Sequence, residues 1–270
     1  MRSQTATVPT VLSIAGSDSG GGAGVQADLK AFARCGVHGM TAITAITAQN
    51  TIEVTAVEPV PGEMIVEQVR AVVSDIGVDA AKVGMLGTAG TAAAVVEALG
   101  LVGDAPVVVD PVMVAESGAV LLDDPARAVL IGEVLPLAAV ATPNVPEARA
   151  LSGLGDRATA EDLARAVHAL GPAAVVVTGG HRERLVDVFF DGTEAVEIPV
   201  ERAPEGAAHG SGCTHSSALA ALLARGESPL EAARDAARLA SEAVANGLHS
   251  IGAGPGPVDA LNCGRTSRNR

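Results

Sequence analysis

The sequence predicts an α/β protein built on a doubly wound, mostly parallel sheet. Short apolar runs rich in Val, Ile and Ala alternate along the chain with amphipathic segments. Near-continuous apolar runs are typical of parallel strands that helices cover on both faces. The strand-like runs are residues 11–16, 40–47, 80–86, 106–113, 139–144 and 174–180. In such a sheet, ligands bind at the carboxyl ends of the strands.

Helix-like segments lie between these runs. Residues 61–77 carry apolar residues at helical spacing, and residues 159–171 end at a glycine that can cap a helix. The last third departs from the alternation, because residues 185–200 alternate in polarity around Asp191-Gly192. That pattern indicates a β-hairpin.

Two helices are predicted after the hairpin, and the start of the second is marked clearly. Ser228 suits the N-cap position, and Pro229 suits the first helical position. Glu231 stands where a capping box places its acidic residue.

Length and composition fit one domain. The chain has 270 residues, of which 48% are hydrophobic, and its mean hydropathy is +0.36. These values allow a single large core. With no internal repeat or linker in view, we expect one domain over residues 10–263, with flexible tails at 1–9 and 264–270.

Charge and residue usage exclude several classes of partner. The net charge is −13, and the chain has neither a basic patch nor the Trp and Tyr on which bases stack, so we expect no nucleic acid. No apolar run reaches the roughly 20 residues that cross a bilayer, and we expect no signal peptide and no membrane. Cys35, Cys213 and Cys263 lack metal-ligand spacing and cannot all pair, which favours a cytoplasmic setting.

Residues 15–30, AGSDSGGGAGVQADLK, lead from a predicted strand through glycines into a helix. Neither the P-loop pattern nor the G-x-G-x-x-G pattern is present. One interpretation is a structural turn. The other is a pocket wall, in which Asp18 offers a hydrogen-bond acceptor and the glycines let a ligand approach the backbone.

A glutamine follows the second predicted strand. In TAITAQNT, residues 44–51, Gln49 lies where this fold class binds ligands. Its amide offers an acceptor and two donors, which match the edge of an aminopyrimidine or a similar heterocycle. A solvated loop glutamine is the alternative.

Two further strand ends carry acidic residues. In VVVDPVM, residues 107–113, Asp110 ends a buried strand, and Glu147 stands three residues after Asn144 in the next motif. Two carboxylates at neighbouring strand ends can hold hydrated Mg²⁺ together with substrate phosphates. Either residue alone is equally consistent with a cap or a turn.

The stretch AAHGSGCTHSSALAALLARG, residues 207–226, joins a glycine turn to an apolar helix. Unpaired N–H groups and the helix dipole make such a turn an anion site. The same field lowers the pKa of a cysteine, so Cys213 is a candidate thiolate. The alternative is a small core residue at a tight turn.

The motifs AGSDSGGGAGVQADLK, TAITAQNT, KVGML, DPVM, TPNVPEA, GGH and HGSGCT occur in this order over roughly residues 10–260. In order and spacing they resemble the hydroxymethylpyrimidine/phosphomethylpyrimidine kinases of thiamine biosynthesis, which belong to the ribokinase-like superfamily. The resemblance implies a three-layer α/β/α sandwich that uses ATP and Mg²⁺. It also implies that 4-amino-5-hydroxymethyl-2-methylpyrimidine is phosphorylated to the monophosphate and then to the diphosphate.

The resemblance also implies roles for particular residues. The pyrimidine would be bound by Gln49, Asp18, Ala23, Met85 and Val112. The anion hole would consist of Gly210, Ser211 and Gly212, with Cys213 as the catalytic residue beside the attacking hydroxyl. The phosphates and ATP would lie against Asp110, Asn144, Thr178 and Gly180, and the metal against Asp110 and Glu147.

Two positions depart from the family's pattern. Thr178 stands where the family usually has lysine, and His215 stands where an apolar residue is common. Thr178 carries no charge for phosphate, and Arg182 or Arg184 would be the cationic replacement. His215 is interpreted as a local variation.

We expect the thiol of Cys213 to act as a thiolate base for the alcohol and to stay neutral beside the phosphate monoester. A fixed carboxylate there would repel the monoester by about 4 kcal/mol at 4 Å and an effective dielectric of 20. Two other functions stay open: a pyridoxal or pyridoxine kinase of the same superfamily, and a non-catalytic sensor that binds the pyrimidine. We also expect a homodimer.

Overall fold

The computed structural model describes residues 8–115, 118–179, 186–201, 203 and 207–264. The strands are β1 (Thr10–Ala15), β2 (His38–Ile43), β3 (Ala45–Gln49), β4 (Val54–Pro59), β5 (Ala80–Val83), β6 (Val107–Val109), β7 (Val140–Ala141), β8 (Val175–Val177), β9 (Val186–Phe190) and β10 (Ala195–Pro199). The helices are α1 (Gly24–Arg34), α2 (Gly62–Asp75), α3 (Ala89–Leu99), α4 (Asp124–Val129), α5 (Val145–Ser152), α6 (Ala160–His168), α7 (Ser211–Ala224) and α8 (Pro229–Ala245).

Eight strands form one sheet in the order β10-β9-β8-β7-β6-β5-β1-β2. The six strands from β8 to β2 in this order are parallel to one another. The strand β9 pairs antiparallel with β8 on one side and with β10 on the other. The mostly parallel sheet is therefore confirmed. The hairpin predicted over 185–200 is also confirmed, with Asp191 accepting hydrogen bonds from the N–H groups of Thr193 and Glu194 at the turn.

Each face of the sheet is covered by helices and carries its own apolar core. Side chains of α2, α3, α4, α5 and α6 pack on one face. Side chains of α1, α7 and α8 pack on the other face. The three-layer α/β/α arrangement is confirmed, and it explains the near-continuous apolar runs, because both faces of the central strands are buried.

The single strand expected over 40–47 is wrong. The chain leaves the sheet at Thr44, whose N–H donates to the carbonyl of Ala15 and whose hydroxyl donates to the carbonyl of Met85. The next residues form β3, which pairs with β4 in a separate two-stranded ribbon. Most of β4 is exposed to solvent. Gln49 is consequently the last residue of β3.

The predicted helix boundaries hold with small shifts. The segment 159–171 is helical only over α6, where Thr159 and Asp162 form a capping box. Ser228 is the N-cap of α8, as expected. The carboxylate of Glu231 accepts from the hydroxyl of Ser228, whereas in a capping box it would accept from the N–H of that residue. Residues 1–7 and 265–270 of the expected tails lie outside the described residues.

A buried ion pair joins β5 of the central sheet to α1. The carboxylate of this pair also contacts α7. The ammonium of Lys82 on β5 lies 3.0 and 3.1 Å from the carboxylate oxygens of Asp28 on α1, and both side chains are fully buried. Ser13 and Ser217 also donate to this carboxylate, at 2.6 and 2.7 Å. Burial lowers the pKa of Lys82, but Asp28 outweighs that effect and holds the pKa above its usual range.

We predict that Lys82→Met destabilises the fold by about 3–5 kcal/mol, because it leaves Asp28 as an uncompensated buried charge. The double variant Lys82→Met/Asp28→Asn removes both charges and should recover most of that loss. Urea unfolding of the three proteins measures the free energies. If the double variant is no more stable than Lys82→Met, the uncompensated charge of Asp28 is not the cause of the destabilisation.

Candidate active site

A cavity of about 570 Å³ opens at the carboxyl ends of the parallel strands. It is lined by almost every residue that the sequence and the resemblance pointed to. These residues are Asp18, Ala23, Gln49, Met85, Asp110, Val112, Asn144, Glu147, Thr178, Gly210, Ser211, Gly212 and Cys213. Gly180, Arg182 and Arg184 lie outside the described residues.

Asp18 organises the first glycine turn. One of its carboxylate oxygens accepts from the N–H of Gly20 at 2.8 Å, and the other accepts from the N–H groups of Gly22 and Ala23 at 2.9 and 2.8 Å. His209 lies 3.2 Å from the second oxygen. Burial raises the pKa of Asp18, but the hydrogen bonds outweigh it and keep the pKa below its ordinary value. The acceptor expected for a ligand is therefore engaged by the turn itself.

The two glycine turns contact each other directly. A Cβ on Gly22 would overlap the imidazole of His209, and a Cβ on Gly210 would overlap the carbonyl group of Gly22. Gly210 also has φ +82°, in the left-handed region that favours glycine. Glycine is needed at these two positions because backbone and ring approach without room for a side chain.

The second glycine turn presents amides to the cavity. Gly210 is the N-cap of α7, and the N–H of Ser211 donates to the carbonyl of Ala208 at 2.9 Å. No described residue accepts from the N–H of Gly212 or of Cys213. Of the three residues expected in the anion hole, Ser211 uses its N–H within the turn, whereas no described residue accepts from the N–H of Gly210 or Gly212, and the anion hole itself stays a prediction.

Cys213 has a pKa opposite to the expectation. Burial raises the pKa of its thiol to about 12, and the nearby carboxylates of Asp28 and Asp110 act in the same direction. Lys82 and the N–H of Gly24 oppose this rise without cancelling it. The predicted lowering by the helix terminus is wrong for the unliganded protein, because desolvation exceeds the effect of the helix dipole. Cys213 is a neutral thiol at neutral pH.

Asn144 and Glu147 cap the start of α5. The Asn144 side chain accepts from the N–H of Glu147 at 2.8 Å, and the Glu147 carboxylate accepts from the N–H of Asn144 at 3.0 Å. These bonds form a complete capping box. The cap that the sequence left open as an alternative is therefore present, and Glu147 uses one carboxylate oxygen for it.

Asp110 and Glu147 nevertheless fit a cation. Burial and the neighbouring Asp110 charge raise the pKa of Glu147 to about 8. Burial also raises the pKa of Asp110, although Lys82 and the hydroxyl of Ser216 counteract it. Two buried carboxylates that repel each other are stabilised by a divalent cation. The described residues contain no cluster of three or more metal-ligating side chains, which fits an ion that takes its other ligands from water and phosphate.

Gln49 is held by the first glycine turn. Its N–H donates to the hydroxyl of Ser19 at 2.8 Å, and that hydroxyl donates to the carbonyl of Gln49 at 2.6 Å. The side-chain oxygen lies 3.4 Å from the hydroxyl of Thr47. The main chain of Gln49 is thus fixed by the turn, and the residue lines the cavity.

Sequence reasoning missed Lys82, Thr142 and His209, which also line the cavity. Lys82 was available as a signal, because it is the one polar residue within the apolar run AAKVGML. Thr142 and His209 are the first residues of the quoted motifs TPNVPEA and HGSGCT, but the motifs gave neither of them a separate role.

A sheet-end cavity that joins a glycine turn at a helix N-terminus to a pair of buried carboxylates is typical of an enzyme that transfers phosphoryl groups to a small molecule. The chain belongs to the phosphomethylpyrimidine kinase family, whose sequence model matches residues 18–259. A hydroxymethylpyrimidine/phosphomethylpyrimidine kinase of Rhizobium meliloti (strain 1021) is 49% identical over 253 residues, which are 92% of this chain and 95% of the relative.

Solved structures agree with this assignment of fold. Pyridoxal kinase from Staphylococcus aureus in complex with AMP-PCP and pyridoxal has a TM-score of 0.86 at 35% identity, and the alignment covers 96% of each chain. Phosphomethylpyrimidine kinase from Clostridium difficile 630 has a TM-score of 0.75 at 38% identity, covering 86% of this chain and 96% of that one. The expected ribokinase-like fold is confirmed.

We predict that Gly210→Ala destabilises the fold more than Gly226→Ala does. Both glycines have a positive φ, at +82° and +91°, but a Cβ on Gly226 meets no atom within 4 Å. The control variant should therefore cost only the backbone strain of about 1–3 kcal/mol. Chemical unfolding compares the two, and equal losses would refute the close packing of the two turns.

Proposed function

We propose that the protein transfers the γ-phosphoryl group of ATP to 4-amino-5-hydroxymethyl-2-methylpyrimidine, and then transfers a second one to the resulting monophosphate. The observation that supports this most is that one cavity holds Gln49, the available amides of Gly212 and Cys213, and the carboxylates of Asp110 and Glu147. The ring of the substrate, with its hydroxymethyl group, would lie beside Gln49. The phosphates would lie beside the amides and the carboxylates.

At the pyrimidine end, the amide of Gln49 would pair with the amino group and ring nitrogen of the substrate. Ala23, Met85 and Val112 supply apolar walls for the ring. Asp18 would act indirectly, because its carboxylate already fixes the glycine turn beneath Ala23. The hydroxymethyl group would then point toward Cys213.

At the phosphate end, the N–H groups of Gly212 and Cys213 would bind the transferring phosphoryl group, with the dipole of α7 adding to their effect. Asn144, Thr178 and Gly180 would contact ATP. Asp110 and Glu147 would hold Mg²⁺, which when bound supplies neutralising charge to the phosphates.

A direct assay tests this function. The purified protein is incubated with ATP, Mg²⁺ and the pyrimidine alcohol, and mass spectrometry detects the products. The monophosphate should appear first and the diphosphate later. Calorimetric binding of the pyrimidine without any turnover would instead favour the sensor interpretation.

Pyridoxal kinase activity is the second candidate, and it is favoured by the high structural similarity to the Staphylococcus aureus enzyme. Pyridoxine and the pyrimidine alcohol both carry a hydroxymethyl group on a heteroaromatic ring. Parallel assays with pyridoxal and pyridoxine as acceptors decide the preference. Only the pyrimidine offers the second step that yields a diphosphate.

We further propose a cytoplasmic homodimer, without nucleic acid or membrane as partner. Within the described ranges, no helix is long and apolar enough to span a bilayer. The ribbon of β3 and β4 exposes Ile46 and Val57, at 57% and 42%, with Ile52 at its turn. A second copy that covers this ribbon would bury them. Sedimentation of the purified protein measures the mass, and a monomer would refute the dimer.

We predict that Gln49→Ala weakens pyrimidine binding by about 1–3 kcal/mol, the usual cost of leaving a buried polar partner unpaired. The affinity for ATP should stay unchanged, because Gln49 lies at the other end of the cavity. Calorimetry with each ligand measures both values. An unaltered pyrimidine affinity would remove Gln49 from the substrate site.

We predict that Cys213→Ala slows phosphorylation of the alcohol by about 10²–10⁴-fold, the typical cost of removing a general base. The monophosphate step should suffer less, because its nucleophile is already an anion. Since the thiol pKa is about 12, the thiolate fraction rises with pH throughout the neutral range. The native alcohol step should therefore accelerate with pH, and the variant should show a weaker dependence, which comes from the ionisation of Glu147, with its pKa of about 8. Equal losses in both steps would leave Cys213 as a packing residue.

A further inference from the structure

His215 is a buried histidine that has no role in the site as described so far. It lies on the first turns of α7 and is 4% exposed. Neither ring nitrogen has a hydrogen-bond partner among the described residues. Burying a polar group without a partner is unfavourable, so an imidazole kept in this place requires an explanation.

The ring lies beneath the phosphate end of the cavity. Its Nε2 atom is 3.9 Å from a carboxylate oxygen of Asp187 on β9, and the charge of Asp110, which follows β6, also acts on it. In the sheet, β8 and β7 separate β9 from β6. A ring close to both carboxylates therefore lies over the ends of β7 and β8, where Thr142 and Thr178 line the cavity.

Asp187 connects this ring to the turn after β8. Its other carboxylate oxygen accepts from the N–H of Gly179 at 2.9 Å. Gly179 has φ +75°, so the chain turns sharply here, and the N–H of Thr178 donates to the carbonyl of Pro143 at 2.9 Å. Burial raises the pKa of Asp187, whereas His215 and the Gly179 N–H act in the opposite direction. The Asp187 carboxylate is thus hydrogen-bonded by the turn through one oxygen, and the imidazole of His215 faces its other oxygen at 3.9 Å, beyond hydrogen-bond distance.

We propose that His215 is a positioning residue for nucleotide phosphates: its imidazole packs beside Asp187 and limits the positions of that side chain, and Asp187 holds the Thr178–Gly179 turn against the cavity. The inference rests on the proposed function, since that function places the phosphates of ATP at this end. Thr178 precedes Gly179 in the turn that Asp187 holds, and His215 faces Asp187 from α7. A threonine supplies no charge toward Asp187, and the imidazole from α7 supplies the facing group.

Binding of ATP, measured by calorimetry, is the readout, because it does not require turnover. His215→Leu should raise the dissociation constant for ATP about tenfold or more, as expected when a binding group loses its support. The dissociation constant for the pyrimidine should stay within about twofold, since Gln49 is held by a separate turn. His168→Leu is the matched control. His168 contacts Phe190 of β9, with ring centroids 5.1 Å apart, from the other face of the sheet.

A second set of variants tests the connection through Asp187. In Asp187→Asn the side-chain oxygen can still accept from Gly179, but the charge is gone. Adding His215→Leu to this variant should cause little further loss of ATP binding, so the two effects should be non-additive.

The outcomes separate the alternatives. Unchanged ATP binding in a folded His215→Leu protein overturns the proposal. Equal losses for ATP and pyrimidine, or the same loss in His168→Leu, show a general packing role and overturn it as well. If His215→Leu does not fold, Asp187→Asn decides: selective loss of ATP binding supports the proposal, and native binding refutes it. A native protein that binds ATP without phosphorylating the pyrimidine refutes the proposed function and leaves this comparison intact.

Discussion

The buried carboxylate of Asp28 holds together the elements from which the cavity is built. It lies on α1 and accepts hydrogen bonds from Ser13 on β1, Lys82 on β5 and Ser217 on α7. Every partner is buried, so these bonds are made in a medium of low dielectric, where an unpaired group would be costly. Ser217 stands one helical turn after Cys213, and fixing one therefore fixes the other. The start of α7 is set over the end of β5 by this network.

The cavity floor follows from strand periodicity. On the face of the sheet covered by α7, each strand contributes an apolar residue to the core, namely Val11, Ala80, Val108, Val140 and Val176. Two residues further along, on the same face, each strand places a polar side chain, namely Ser13, Lys82, Asp110, Thr142 and Thr178. Because the strands are parallel, these polar positions all lie toward the carboxyl edge. The apolar core residues and the polar site residues thus form two neighbouring rows on one face of the sheet, and α7 covers both rows.

Much of this architecture could be predicted from the sequence. The alternation of runs predicted the sheet and its layers, and the strand ends predicted Asp110, Asn144 and Glu147 as neighbours, whereas Thr178 came only from the resemblance to the family. The ribbon of β3 and β4 could not be predicted, because an apolar run does not show where the chain leaves a sheet. In this case the departure depends on hydrogen bonds from Thr44 to residues distant in sequence.

The pKa values of the site residues were harder to predict than which residues line the site. The sequence showed Cys213 at a helix N-terminus, which suggested a low pKa for the thiol. Desolvation and the charges of Asp28 and Asp110 reverse that direction, and each depends on tertiary packing. Glu147 is similar, since its pKa of about 8 comes from burial and from the carboxylate of Asp110, which follows β6. Motifs identify which groups meet, but their charge states depend on how much water the fold removes.

An acidic protein that binds phosphates must obtain positive potential locally. Among the described residues that line the cavity, Lys82 is the one with a permanently cationic side chain, and Asp28 neutralises it. The attraction for an anion therefore depends on the amides of Gly212 and Cys213, on the dipole of α7 and on a cation held by Asp110 and Glu147. A backbone N–H group attracts an anion only when it points toward it, so the turn that carries these amides must be rigid. That rigidity comes from contact with Gly22, which lies in the turn that also holds Gln49. Phosphate binding and pyrimidine binding thus depend on one packed pair of turns, and the glycines at this contact matter to both.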